Sequence, residues 1–213
     1  MRPGELRTGE KPSAADALDL LSSIHRGIMK TDTKSMSGPG PGSADRLRLM
    51  VASAFWLGLS PVAPGTCGAL LGVLIHFAAF ALLPPDLCTG ALVGALLLVC
   101  AANHFLTPWA VAHWKSKDPS HFVLDEVAGY LVVPILFHHG RFWQVALWGF
   151  ILFRVLDIVK IPPARQIDRE LTGSWGIVLD DLVSGCYAVL GLYAMMWIGR
   201  CIGFEAWLVS GSG

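Results

Sequence analysis

The chain has 213 residues, of which 54% are apolar and 15% charged, with 16 basic and 16 acidic side chains. An average soluble domain carries about 25% charged residues, so the composition excludes a disordered chain and the basic charge of a nucleic-acid-binding protein. The charges are also uneven, because residues 1–45 hold 12 of the 32 charged side chains. We therefore expect a flexible polar extension at residues 1–44, followed by a membrane-embedded domain at residues 45–213.

Within the extension, residues 13–25 have the pattern of a short amphipathic helix capped by Ser13. Residues 35–43 are rich in glycine, proline and serine, as linkers are. No charged stretch leads into a short apolar run at the start of the chain, so the sequence predicts no cleaved signal peptide.

The rest of the chain is built of long apolar segments. For two of them the sequence does not decide whether they cross the membrane. Segment 127–137 is short and contains Pro134, and segment 142–158 includes the charged residues Arg154 and Asp157. No segment alternates with the period of a strand, so we predict an all-α, membrane-embedded bundle of about five long helices. Three uncharged segments are long enough to cross a hydrocarbon core of roughly 30 Å: residues 66–83, 87–114 and 182–199.

Five crossings that start in the cytoplasm divide the basic residues of the domain unequally, eight inside and two outside. This bias follows the positive-inside rule. The same orientation brings residues 61–66, 118–126 and 154–181 to the cytoplasmic face. The inside residues are Arg46, Arg48, Lys115, Lys117, Arg154, Lys160, Arg165 and Arg169, and the outside residues are Arg141 and Arg200.

Several carboxylates lie against or within apolar sequence, where an unpaired charge costs several kcal/mol or more. Three nearby cations, Arg154, Lys160 and Arg165, cannot neutralise all of them, so a divalent cation such as Mg²⁺ would complete the site. Two other interpretations stay open, a structural ion-pair network and an ion or proton pathway through the bundle. The carboxylates are Asp125, Glu126, Asp157, Asp180 and Asp181.

A glycine- and proline-rich segment at residues 60–68 precedes an apolar helix. It places the backbone N–H groups of Gly65 and Thr66 at a helix N-terminus, which favours anions such as phosphate. A simple loop-to-helix cap would have the same sequence. His121 is the one histidine near the carboxylates and is a further acid/base candidate.

Three blocks of the chain resemble the bacterial phosphatidylglycerophosphatase A family, over about residues 45–200. They read GLSPVAPGTCGALLG at residues 58–72, DPSHFVLDEVAGYLV at 118–132, and FRVLDIVKIPPARQIDRELTGSWGIVLDDLVSG at 153–185. One position departs from the family pattern Lys-Pro-x-Pro, because Ile161 follows Lys160 here. Further positions that match the family are Asp118, Asp168, Gly173 and Gly176.

The resemblance implies a Mg²⁺-dependent phosphatase that converts phosphatidylglycerophosphate to phosphatidylglycerol at the inner membrane, with its site on the cytoplasmic face. The expected partners are the phospholipid substrate and the bilayer, without nucleic acid. The implied catalytic residues are the five carboxylates named above. The implied metal ligands are Asp125, Glu126, Asp180 and Asp181, and the implied substrate-binding residues are Arg154, Lys160, Gly65 and Thr66.

Two questions stay open at this stage. The nucleophile can be water or a carboxylate that forms an aspartyl-phosphate. The alternative function is a small transporter or channel subunit with an acidic ion pathway. That alternative expects acids through the depth of the bundle, whereas an interfacial enzyme expects them at helix ends on one side.

Overall fold

The computed structural model describes residues 42–61, 63–116, 119–171 and 173–202, without the side chain of Asp168. Over these residues the chain forms seven α-helices and no β-strand, which confirms the all-α prediction. The helix predicted at residues 13–25, most of the linker, Lys117 and Asp118 lie outside the described residues. The helices are α1 (Ser43–Ala52), α2 (Pro64–Leu82), α3 (Pro85–Trp114), α4 (Leu124–Leu136), α5 (Phe142–Val159), α6 (Ala164–Glu170) and α7 (Ser174–Cys201).

Four of these helices, α2, α3, α5 and α7, are long and apolar enough to cross a membrane. They carry the apolar segments of the sequence, and prolines begin two of them, with Pro64 and Pro85 in the first turns of α2 and α3. Proline suits this position because the first N–H groups of a helix have no partner within it. The bundle is therefore that of a multi-pass membrane protein.

The short helix α4 lies at the centre of the bundle. It has 13 residues, about 20 Å of helix, and ten of them are buried. It packs against α2, α3, α5 and α7. Segment 127–137, which the sequence left uncertain, is thus a core helix that its neighbours shield from lipid.

Glycines let the other helices approach α4 closely. A Cβ on Gly68 of α2 would lie 2.8 Å from the Cβ of Val123, and one on Gly72 would lie 2.9 Å from Cδ1 of Tyr130. A Cβ on Gly185 of α7 would collide with the carbonyl oxygen of Gly129 in α4. Packing by small residues is typical of helices in membranes, where backbone approach replaces the hydrophobic effect as the source of contact energy.

The outer faces of the long helices are apolar. On α3, for example, Leu97, Leu98 and Phe105 are 65%, 71% and 78% exposed. Polar and acidic side chains are instead buried inside the bundle, including Asp125, Asp157, Asp180 and Asp181. This distribution is typical of a membrane protein, because apolar side chains that face lipid carry no free-energy penalty, whereas charged ones do.

Candidate active site

Helix ends surround a cavity of about 360 Å³. The start of α2, the first turn of α4, the last turns of α5 and the second turn of α7 form its walls, and the loop at residues 119–122 closes one side. The order of the helices in the chain explains this meeting point, because α2, α4 and α7 begin where α5 ends. All five carboxylates predicted from the sequence line the cavity, together with Gly65, Arg154 and Lys160.

Three of the carboxylates converge on one point. Asp125 and Glu126 in α4 and Asp181 in α7 each offer an oxygen, and these oxygens lie within 4.8 Å of one another. Two oxygens bound to one Mg²⁺ lie up to about 4.2 Å apart, since each Mg–O distance is about 2.1 Å. Small side-chain rotations would therefore bring all three onto one ion, and three oxygen ligands suit a hard divalent cation.

The surroundings of Glu126 fit such an ion. Its Oε2 is buried and has no hydrogen-bond partner among the described residues. A buried carboxylate oxygen that lacks a partner costs free energy, and a metal ion would remove that cost.

The other two carboxylates each accept a hydrogen bond from a cation. Arg154 Nη1 donates to Asp157 Oδ2 at 2.7 Å, one helical turn away on α5. Lys160 Nζ, just beyond the end of α5, donates to Asp180 Oδ2 of α7 at 2.6 Å. Asp180 thus lies beside Lys160, and the three-carboxylate cluster does not include it.

The cavity carries an excess of negative charge. Five carboxylates and two cations line it, so three formal negative charges remain if every group is ionised. A phosphate monoester is itself a dianion at neutral pH, and like charges repel strongly in a site of low dielectric constant. The cavity therefore needs added positive charge before it can hold a phosphate group.

Gly65 provides the room for Glu126 and Arg154. A Cβ at this position would collide with Glu126 Oε1 and would lie 3.0 Å from Arg154 Nη2. Thr66 differs from its neighbour, since it is not among the residues that line the cavity. Its backbone N–H donates to the carbonyl of Ala63 at 3.0 Å, so nothing in this geometry supports the predicted contact of Thr66 with phosphate.

The remaining candidates lie elsewhere. His121 Nδ1 lies 2.9 Å from the carbonyl oxygen of Gly58, and a carbonyl only accepts, so Nδ1 carries the proton and the ring is tied to this loop. Arg165 is exposed on α6 and does not line the cavity. Gly173, at φ 78°, precedes α7, and a Cβ on Gly176 would collide with the carbonyl of Leu171, so these glycines shape the turn into α7.

The positions of the acidic side chains along the bundle axis distinguish an ion pathway from an interfacial site. The carboxylates of the cavity all come from helix ends on one side of the bundle. In the described part of the spanning helices, the one other acid is Asp86, in the first turn of α3. A continuous acidic path through the bundle is therefore missing over these residues.

Comparisons with known proteins show what the chain is similar to. A family model described as Phosphatidylglycerophosphatase A matches residues 50–196. Among curated proteins, a Bacteroides thetaiotaomicron protein provisionally named phosphatidylinositol-3-phosphatase is 33% identical, over 71% of this chain and 95% of its own. Proteins named phosphatidylglycerophosphatase A from Haemophilus influenzae and Escherichia coli are each 31% identical, over 70% and 68% of this chain and 88% and 80% of theirs. No solved structure matches the chain.

Proposed function

The chain belongs to the phosphatidylglycerophosphatase A family and is a phosphatase, and from this premise we propose that it hydrolyses phosphatidylglycerophosphate to phosphatidylglycerol and inorganic phosphate with the help of Mg²⁺. The observation that carries the proposal is the convergence of Asp125, Glu126 and Asp181 within 4.8 Å. These three residues would hold Mg²⁺. Bound there, the ion supplies positive charge to the phosphate oxygens and lowers the pKa of a water molecule.

Arg154 is the residue best suited to bind the phosphate group. Its Nη1 holds Asp157, and its Nε has no hydrogen-bond partner among the described residues. Since a guanidinium has five N–H donors, those that Asp157 leaves can bind two phosphate oxygens at once. Asp157 then acts as a positioning residue that fixes the plane of the guanidinium.

Lys160 adds a second positive charge at the cavity wall. Asp180 orients its Nζ through the bond of 2.6 Å. The backbone that carries Lys160 is held as well, because Tyr187 Oη of α7 donates to the carbonyl of Pro162 at 2.6 Å. A lysine fixed from two directions can approach a phosphate oxygen without a large loss of side-chain entropy.

We further propose that the cavity opens to the cytoplasmic face of the bacterial inner membrane. The basic residues of the domain support this orientation, eight against two under the positive-inside rule. A cavity at the helix ends lets a phospholipid keep its acyl chains in the bilayer while its phosphate reaches Arg154.

A second substrate is favoured by one finding. The relative provisionally named phosphatidylinositol-3-phosphatase is 33% identical to this chain, slightly above the 31% of the two named phosphatidylglycerophosphatase A. A phosphorylated phosphatidylinositol is also a phosphate monoester on a lipid, so the same carboxylates and Arg154 would serve it.

Phosphate release from purified protein in detergent tests both substrates. We expect phosphate release from phosphatidylglycerophosphate to require Mg²⁺ and to fall at least a hundredfold in Glu126→Gln and Asp181→Asn. The control variant is Asp86→Asn, which should release phosphate at the normal rate, because Asp86 is exposed in the first turn of α3. Faster release from phosphatidylinositol 3-phosphate would favour the second substrate. Equal rates in all variants, or release without a divalent cation, would contradict the proposed site.

A further inference from the structure

Between α1 and α2 the chain presents an exposed apolar wedge at residues 55–59. Phe55, Trp56, Leu57 and Leu59 are 62%, 53%, 41% and 37% exposed, whereas Gly58 between them is buried. The wedge precedes α2 by a few residues, so it lies at the end of the bundle where the cavity opens.

The backbone of the wedge is held in an unfavourable conformation. Ala54, Phe55 and Trp56 have φ values of 48°, 58° and 65°, and residues other than glycine rarely adopt this left-handed conformation. Buried Ser53 stabilises this turn, because its Oγ donates to the carbonyl of Leu49 at 2.7 Å and accepts from the N–H of Trp56 at 3.1 Å. The result is that the aromatic side chains point outward while Ala52 and Ala54 are buried.

The wedge is joined to the loop that lines the cavity. His121 Nδ1 donates to the carbonyl of Gly58 at 2.9 Å, and the Val123 N–H donates to the carbonyl of Ala52 at 3.3 Å. A Cβ on Gly58 would lie 2.5 Å from the carbonyl oxygen of His121, so the two segments are in direct contact. Asp125 and Glu126 follow this loop by a few residues, so one short segment connects the wedge to the carboxylate cluster.

Charge next to the wedge identifies its partner. Arg46 and Arg48 of α1 and Lys115 at the end of α3 are exposed at the same end of the bundle, and Arg48 also forms an exposed ion pair with Asp45 at 3.3 Å. Exposed aromatic side chains at the same end as basic ones are suited to the boundary of an anionic leaflet, because the rings favour the headgroup level and the cations attract anionic lipids. Water alone would leave four large apolar side chains exposed without a compensating contact.

We propose that the wedge inserts into the anionic phospholipid leaflet beside the cavity and anchors this end of the bundle there, so that long-chain lipid enters the cavity from that leaflet. The loop bonded to Gly58 then keeps the cavity at a fixed depth relative to the lipid phosphates. Insertion itself is independent of the reaction, and the effect on catalysis rests on the proposed function.

Insertion is tested by a nitroxide spin label on Phe55→Cys in a background without the five native cysteines, reconstituted into vesicles containing phosphatidylglycerol. We expect the label to collide with oxygen and to be shielded from a water-soluble nickel chelate, whereas a label on Lys115→Cys remains open to nickel. Nickel access at residue 55 equal to that at residue 115 would overturn the proposal. So would shielding from both reagents, since this means that a second copy or the N-terminal extension covers the wedge.

The catalytic consequence has its own measurement. In Phe55→Ala/Trp56→Ala we expect about a tenfold fall in the ratio of activity on long-chain lipid in vesicles to activity on a dihexanoyl analogue in water. The matched control is Leu97→Ala/Leu98→Ala on the lipid face of α3. In this variant the ratio of the two activities should stay unchanged. An unchanged ratio in the wedge variant would overturn delivery of the lipid by the wedge. Absence of activity in the unaltered protein on every lipid phosphate would instead refute the proposed function, and the spin-label result would stand.

Discussion

The cavity carboxylates differ in what surrounds them, and the difference suggests separate tasks. Asp157 and Asp180 accept from Arg154 and Lys160 at 2.7 and 2.6 Å. Asp125, Glu126 and Asp181 instead face one another within 4.8 Å. The first two are suited to orient the cations that bind phosphate. The other three are suited to hold a metal ion, because a cation between them would relieve the repulsion of like charges at this separation.

This division favours water over a carboxylate as the nucleophile, since two of the cavity carboxylates accept hydrogen bonds from cations and the other three would hold the proposed metal ion. The test uses a substrate that carries ³²P at its terminal phosphate, and the reaction is quenched with acid during turnover. The quenched enzyme should carry no label. Acid-stable label on Asp125, Asp157 or another cavity carboxylate would show an aspartyl-phosphate and contradict this division.

Adding a single methyl group at Gly65 should lower the phosphatase activity without lowering the stability of the fold. Gly65→Ala places a Cβ against Glu126 Oε1 and Arg154 Nη2, so it displaces the proposed metal ligand and the proposed phosphate-binding residue together. We expect phosphatase activity to fall ten- to a hundredfold, the effect of about 1.5–3 kcal/mol for a disturbed charged hydrogen bond. The matched control is Gly94→Ala in α3, where a Cβ meets nothing within 4 Å.

Both variants should melt close to the unaltered protein in detergent, because alanine is the better helix former. Full activity in Gly65→Ala would mean that Glu126 and Arg154 need no such fit. Equal losses in Gly65→Ala and Gly94→Ala would point to a general effect of glycine replacement.

The sequence alone predicted that the five carboxylates, Arg154 and Lys160 belong to one site, and it left the partner of Lys160 open. Acids inside apolar segments are visible in a sequence because burial of charge is costly. The bond between Lys160 and Asp180 joins residues from two helices, and no local spacing predicts it. Packing in the folded chain also determines that Gly65 leaves room for Glu126 and that Thr66 does not line the cavity. Neither feature can be predicted from local sequence.

Among the helices, α4 shows where prediction from length reaches its limit. The long segments were predicted because roughly 20 apolar residues suffice to cross a bilayer. α4 has 13 residues with Pro134 inside it, so length alone cannot distinguish a core helix from a re-entrant one. Its burial results from the glycines of the neighbouring helices, which bring their backbones onto it.

The contact between α4 and α7 should be sensitive to a single added methyl group. In Gly185→Ala the new Cβ would collide with the Gly129 carbonyl and lie 3.0 Å from Cβ of Val132. Because backbone atoms cannot move aside as a side chain can, we expect a loss of about 1–3 kcal/mol. Thermal unfolding in detergent should show a clearly lower Tm for this variant.

Gly90→Ala is the control for that measurement, since a Cβ there meets nothing within 4 Å. Its Tm should equal or exceed that of the unaltered protein. A Tm for Gly185→Ala that matches the Tm of Gly90→Ala would contradict the close packing of α4 on α7.

At the scale of the whole molecule, the cavity and the apolar wedge lie at one end of the bundle, and the orientation proposed here places that end in the cytoplasm. In intact cells, a membrane-impermeant thiol reagent should label Arg141→Cys, in the loop between α4 and α5, and should not label Lys115→Cys. Both variants require a background without the five native cysteines. The reverse pattern would place the cavity on the outer face and contradict the positive-inside prediction.

The most direct test of the account is divalent-cation binding by the purified chain. Electron paramagnetic resonance of added Mn²⁺ should show bound metal that Mg²⁺ displaces in the unaltered protein and in Asp86→Asn. Binding should weaken at least tenfold in Asp125→Asn, Glu126→Gln and Asp181→Asn, because each removes one of the three converging carboxylates. Equal Mn²⁺ affinity in all five proteins, or no binding in any, would contradict the claim that this cluster is a metal site.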